Sequence, residues 1–175
     1  MKTIVLIYFS TLLQMTISCN QKAEPEMYLI HSNFEGKVNI LFDKNAGETK
    51  KYQGDRRIYE IPSDGILITQ FKANYGFVNR QYYSVDDKGG RTPLEIFEYD
   101  NKNNNKWIIV DKNQKGIFLD GISGQYGNTG DSTAVEYQEF IVSNYNKLDS
   151  FFTKEYQTNF DNKLAKITGL TFNLK

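Results

Sequence analysis

The sequence predicts a mainly β protein, an antiparallel, sandwich-like sheet domain followed by a C-terminal α-helix. Two patterns carry that expectation. Between residues 36 and 142, short segments alternate apolar and polar side chains and are separated, at roughly 8–12-residue intervals, by clusters of Gly, Pro, Asn and Asp. After Val142 the alternation stops, and apolar residues recur at three- and four-residue spacing. The composition allows a packed core, with 39% hydrophobic and 14% aromatic residues in 175. That length suits one domain, and no composition shift or solenoid-length repeat marks a second.

The chain opens on an address. Lys2 gives a positive start, Ile4 to Leu13 is apolar apart from Ser10 and Thr11, and Thr16, Ile17 and Ser18 lead to Cys19. A short apolar run with a basic start and small residues at its end is the pattern of a secretory signal. The run is too short for a membrane span, which needs about 20 apolar residues. The chain's single cysteine stands where the signal should end. That placement resembles the bacterial lipobox, although Thr16 occupies the position usually held by leucine. The resemblance implies lipidation, palmitate included, at Cys19 after cleavage of residues 1–18. Loss of that segment removes Lys2 and no acid, leaving one acidic residue in excess. Membrane attachment is therefore expected through the N-terminal lipid, with no electrostatic attraction to anionic headgroups. Residues 19–26, polar and holding Pro25, read as a tether, and 27–175 as the single β-rich domain.

Along that domain, Val38, Ile40 and Phe42 share one face of a strand starting at Gly36. Asp43 to Gly47 reads as a turn, Arg57 to Ile61 as a short strand, and Pro62 to Gly65 as a tight turn. The stretch Gly65 to Phe71 is apolar on both faces, which predicts a central strand. Further strands are expected over Phe77–Val85, Leu94–Tyr99, Trp107–Val110, Ile117–Leu119 and Val135–Val142. Tyr145, Leu148, Phe152, Tyr156, Phe160 and Leu164 form the helical stripe. Asn144 is its expected N-cap, with the helix near 144–157 and a break at Thr158-Asn159.

Gly36-Lys-Val-Asn-Ile40 together with Tyr59-Glu-Ile-Pro-Ser-Asp-Gly-Ile66 resembles a domain of unknown function in Bacteroidota lipoproteins. Its core reads G-x-V-x-I followed by Y-x-I-P-x-x-G-I. The lysine- and asparagine-rich composition and the lipobox-like Cys19 are similar to the same group. The resemblance implies a cell-envelope lipoprotein, at the outer membrane, with no assigned activity and no catalytic residue.

Composition excludes much else. Lys plus Arg is 21 and Asp plus Glu is 21, so no basic excess points to nucleic acid. His31 is the sole histidine. Ser123 lies one residue away from a G-x-S-x-G elbow, because Gln125 stands where glycine is required, and His31 precedes it in the wrong order. No catalytic residue, metal site or cofactor is therefore expected. Asp111 to Gly116 and Asp43 to Gly47 resemble calcium-loop openings but lack the ligands, and read as hairpin turns. Glu95, Glu98, Asp120, Glu136 and Glu139 are the carboxylates from which glycosidase chemistry would have to be drawn. Glycines 121, 124, 127 and 130 predict an exposed loop near Tyr126, with Asp131-Ser132-Thr133 beyond it as a short O-glycosylation-like pattern. That loop, Tyr126, the Tyr82–Tyr83 pair and Trp107 are the expected binding surface, because glycines admit close approach and aromatic rings offer stacking area. The expected function is a non-catalytic binding or structural module with an envelope protein or glycan partner. A carbohydrate-binding or carbohydrate-processing surface lipoprotein and an immunity or inhibitor lipoprotein are the alternatives.

Overall fold

A computed structural model describes residues 23–102, 105–109, 111–127 and 134–169. Cys19 and Asp131-Ser132-Thr133 lie outside the described residues. The protein is mainly β with a C-terminal helix. Nine strands join in one sheet: β1 (Glu26–His31), β2 (Gly36–Leu41), β3 (Lys51–Gln53), β4 (Arg56–Ile61), β5 (Ile66–Ile68), β6 (Arg80–Val85), β7 (Arg91–Ile96), β10 (Gly116–Tyr126) and β11 (Val135–Ser143). Their order is β3-β4-β1-β6-β7-β10-β11-β2-β5. Two further strands, β8 (Tyr99–Asp100) and β9 (Lys106–Trp107), pair only with each other.

The sheet folds over at β7. Its first residues pair with β6 up to Tyr82↔Leu94, and Glu95 and Ile96 then pair with Gly116 and Ile117 of β10. Each half turns one face to the other, and a single apolar cluster fills the space. Tyr28, Ile30, Tyr59 and Tyr82 enter it from one half, and Val38, Ile40, Phe42, Ile117, Phe140 and Val142 from the other. That is the expected sandwich-like arrangement, but the pairing is mixed rather than antiparallel. β1 runs parallel to β4 and β6, β7 to β10, and β2 to β5. Strands reached by long excursions of the chain return in the same direction, which local alternation cannot report.

The second half is buried on both faces, so alternate residues of its strands serve different clusters. Ile117 points to the inter-sheet core and Phe118 away from it; Phe140 and Val142 point in and Ile141 out. The outer face is covered by a 3-10 helix (Tyr145–Phe152) and by α1 (Lys154–Thr168), which contribute Leu148, Phe151, Phe160 and Leu164. Asn144 caps the first as expected, accepting from the Lys147 amide. The break falls at Thr153, whose extended backbone stops one helix and whose hydroxyl caps the next by accepting from the Tyr156 amide. Thr158 and Asn159 lie inside α1. The break shifts the stripe: Phe151 is buried, whereas Phe152 is exposed.

Other expectations are corrected. The 65–71 stretch forms β5 at a sheet edge, not at the centre. It reads as doubly apolar because Leu67 faces the inter-sheet core and Ile66 the helix. Trp107 does not re-enter the sheet but closes the small β8–β9 hairpin. The stretch 23–26 is no free tether. Ala23 is buried, the Pro25 carbonyl accepts from the Arg57 amide at 2.9 Å, and Glu26 begins β1 with no exposed surface. The loop expected from Gly121 is a continuation of β10, paired with β11 as far as Tyr126↔Val135.

Candidate functional site

The parallel register of β1 with β4 and β6 stacks three tyrosines. Tyr28 lies opposite Tyr59 on one side and Tyr82 on the other, with ring centroids 5.0 and 4.5 Å away. In parallel in-register strands, equivalent positions project from the same face, so one sequence position in each strand builds the ladder. Two residues before Tyr28, Glu26 lies opposite Arg80. Glu26 is wholly buried and surrounded by donors: the Tyr28 hydroxyl at 2.5 Å, Asn74 Nδ2 at 3.0 Å, Arg80 Nε at 3.2 Å and the Tyr59 hydroxyl at 3.4 Å. A buried acid needs such company, since an uncompensated buried charge is prohibitively costly.

The network reaches the second half of the sheet through a bulge in β10. The register slips between Phe118 and Ile122, with Leu119 at φ 58° and Gly121 at φ 82°. Bulges re-aim side chains, and this one sends Asp120 to the Tyr82 hydroxyl at 2.5 Å and towards Arg80 Nη1 at 3.8 Å. From β11, Gln138 Nε2 donates to the Tyr28 hydroxyl at 3.0 Å. Burial, then the neighbouring Tyr82 and Glu26, push the Tyr28 hydroxyl well above its usual pKa of 10.0. Burial and the Asp120 carboxylate do the same to Tyr82. For Arg80, burial alone would lower the pKa, but Tyr28, Asp120 and Glu26 outweigh it and the net direction is upward. Arg80 is thus a fixed cation and both tyrosines are fixed neutral donors.

Above this floor lies a cleft of about 270 Å³, lined by Asn74, Tyr75, Arg80, Ser123, Gln125, Glu136 and Gln138 among others. The Tyr75 hydroxyl, on a largely exposed side chain, bonds to Glu136 across it. Gly124 gives the wall its close fit, because a Cβ there would lie 2.7 Å from the Tyr137 hydroxyl oxygen. The cleft's lining brings together amides, a serine hydroxyl, one cation, one acid and the phenol rings of Tyr75 and Tyr137.

The aromatics singled out in the sequence do not form one surface. Tyr82 is in the core at 2% exposure. Tyr83, its neighbour, is half-buried, with its hydroxyl 3.3 Å from Gln81 Oε1. Trp107 packs on Phe118 and Tyr99, at 5.0 and 5.2 Å between ring centroids. Tyr126 stacks on Tyr137 at 4.2 Å, in the cluster under α1, with Asn39 Nδ2 donating to its hydroxyl at 2.8 Å. Strand alternation and the separate hairpin disperse them. Of the five carboxylates, Glu136 lines the cleft and Asp120 anchors its floor. Glu95 accepts from Gln114 at 3.0 Å, and Glu139 pairs with Lys37 at 2.9 Å.

Ser123 also lines the cleft, but His31 does not meet it. His31 follows Glu26 by five positions along β1, about 16 Å, and holds Asp87 at 2.9 Å. Asp111 caps its own turn, accepting from the Asn113 amide at 2.8 Å. Among the described residues no group of three or more His, Cys, Asp or Glu is arranged to hold a metal, and no helix is long and apolar enough to cross a membrane. Sequence reasoning missed Glu26, Tyr28, Asn74, Arg80 and Gln138. The available signal was an acid abutting the apolar run Met27 to Ile30.

Fold and site together define a mixed-sheet, two-layer β domain with a tyrosine ladder, a buried acid–arginine network and a polar cleft above it. The chain belongs to a family of unknown function, DUF6843, which matches residues 22–152. The match spans every strand and the 3-10 helix. No curated protein matches the chain. It is similar to the 2.75 Å crystal structure of a protein from Bacillus anthracis described as "Putative Lipoprotein". That similarity has 18% identity and a TM-score of 0.49, over 69% of this chain and 70% of the other.

Proposed function

We propose that this protein is a cell-envelope lipoprotein, anchored through Cys19 at the outer membrane, which binds a polar ligand without transforming it. The lipobox-like placement of the sole cysteine supports the anchor, and the Bacteroidota resemblance of the 36–66 motifs supports the compartment. The observation that carries the binding reading is the engagement of the carboxylates. Glu26 and Asp120 are tied to tyrosines and Arg80, and Glu136 to Tyr75. General acid–base work needs a carboxyl free to meet the reacting atom, whereas a pre-ordered polar wall suits recognition.

The occupant that best fits the cleft is a saccharide-like or peptide segment. Tyr75 brings a largely exposed aromatic ring to the lining, beside the Ser123 hydroxyl and the amide side chains of Asn74 and Gln125. Glycan arrays and capture from envelope extracts, run with the full chain and with Ser123→Tyr, test this. Binding by the full chain that is lost when the tyrosine fills the cleft supports the reading. Equal binding by both proteins places the site elsewhere, and turnover of a bound glycan overturns the non-catalytic assignment. Mass spectrometry of the mature N-terminus, with Cys19→Ala as control, tests the anchor.

A further inference from the structure

Two large aromatic side chains stand exposed at the end of the molecule where the described chain begins. Phe77 is 102% exposed, as much as in an extended peptide, and Tyr52 is 50% exposed. Phe77 and Tyr52 both line a groove of about 520 Å³, together with Ala23, Pro25 and Gly54 and with the polar Glu24, Asp55, Arg56 and Asn79. The loop that carries Phe77 is strapped to the incoming chain. Asn74 Nδ2 donates to the Glu24 carbonyl at 2.7 Å, Arg57 Nη1 to the Lys72 carbonyl at 2.7 Å, and Arg56 Nη1 to the carbonyls of Glu26 and Asn79 at 2.9 and 2.8 Å. The chain is thus held at Lys72, Asn74 and Asn79, on either side of Phe77. A phenylalanine held in water by a braced loop loses hydrophobic free energy unless something apolar covers it.

The length of chain outside the described domain says what covers it. Cys19 precedes Ala23 by four residues, and four residues span at most about 14 Å even when fully extended. A domain held by a lipid at Cys19 therefore keeps Ala23 and its neighbours within that distance of the bilayer surface. We propose that the end carrying Tyr52 and Phe77 is the membrane-facing end, with Phe77 seated among the acyl-chain tops and Tyr52 at headgroup level. This rests on the lipid-anchor reading. Aromatic rings with one polar edge favour that depth, and an apolar ring favours the layer beneath it. The near-neutral mature charge fits a contact made by burial rather than by attraction to anionic lipid. The opposite end of β1, with His31 and the Asp86–Gly90 turn, then points away from the membrane.

The test uses the full chain, lipidated in its host and reconstituted into phosphatidylethanolamine–phosphatidylglycerol vesicles. Cys19 is the sole native cysteine, so Phe77→Cys adds the one free thiol of the acylated protein, to which a nitrobenzoxadiazole dye is attached. Asp87→Cys, in the exposed turn beyond His31, is the control. The expected result is a several-fold brighter dye at position 77 than at 87, quenched by lipids bearing a nitroxide on the acyl chain. Tyr52→Cys, also in the lining of the groove, repeats the measurement should Phe77→Cys misfold. A dye at 77 as wet as at 87, on protein whose Cys19 is acylated by mass spectrometry, overturns the orientation and leaves the anchor standing. Cys19 without an acyl group overturns both. A dye shielded from water but untouched by the nitroxide lipid assigns the groove to a second copy of the chain and overturns the membrane assignment.

Discussion

Glu26 shows how much a single residue can organise. It accepts from Tyr28, Tyr59, Asn74 and Arg80, and Asp120, which accepts from Tyr82, lies farther from Arg80 at 3.8 Å. Glu26→Ala leaves the buried Tyr28 and Tyr59 hydroxyls without their acceptor and the Arg80 cation without its nearer partner, and should cost about 3–5 kcal/mol, read as a lowered denaturant midpoint. Glu26→Gln keeps an acceptor and should fall between Ala and the native chain. An unchanged midpoint for Glu26→Ala would mean that water reaches the network. Gly65 acts differently, through space. It sits at φ 79°, its amide donates to the Pro62 carbonyl at 2.9 Å, and a Cβ on it would lie 2.4 Å from the Lys37 carbonyl oxygen. Gly65→Ala should therefore destabilise by at least about 2 kcal/mol, combining positive-φ strain with a backbone clash. Gly54→Ala is the control, since φ 64° alone strains it and its Cβ would meet nothing. Equal melting temperatures for the two variants would contradict the close-approach account.

At the scale of elements, β10 departs most from its sequence pattern. Its second half is glycine-rich and largely exposed, yet it pairs residue for residue with β11 from Ile122↔Glu139 to Tyr126↔Val135. The pairing covers Val135 and brings Tyr126 under α1, where it packs with Leu41, Phe160 and Leu164. Replacing 122–129 by a two-residue turn removes that pairing and one wall of the cleft together. The expected outcome is a melting temperature lower by several degrees, consistent with a loss of about 1–3 kcal/mol. Unaltered melting would restore the reading of this stretch as an exposed loop.

For the whole molecule, the tyrosine ladder makes stability depend on alkaline pH. Tyr28 and Tyr82 hold their protons in the folded state well above the ordinary value of 10.0, first because they are buried and then because of neighbouring tyrosine and carboxylate groups. Above pH 10 the unfolded chain releases those protons while the folded chain keeps them, so the unfolded state binds fewer. Stability is then undiminished by these groups below about pH 10 and falls above it, by about 1.4 kcal/mol per pH unit for each tyrosine. Tyrosinate absorbance should rise in two stages, the second coincident with loss of the β-sheet circular dichroism. Tyr82→Phe should lessen the slope. Full tyrosinate absorbance on a still-folded protein would refute the ladder's burial.

What the sequence by itself determined is local. Alternation at Val38, Ile40 and Phe42 and again near Phe140 and Val142 follows from backbone pleat, so those strands were legible, as were the Pro62–Gly65 turn and the Asn144 cap. The change of period after Val142 marked the helical end. Only the tertiary structure decided which strands became neighbours and in which direction, because pairing partners such as β1 and β6 are brought together across some fifty residues of chain. The cleft and its floor depend on that choice. Glu26, Arg80 and Gln138 carry no common motif; they meet because two parallel ladders, one bulge and the fold at β7 superimpose them. The same register buried Tyr82, which the sequence pattern alone offered as a surface residue, since a strand's inward and outward faces look alike until the second layer is in place.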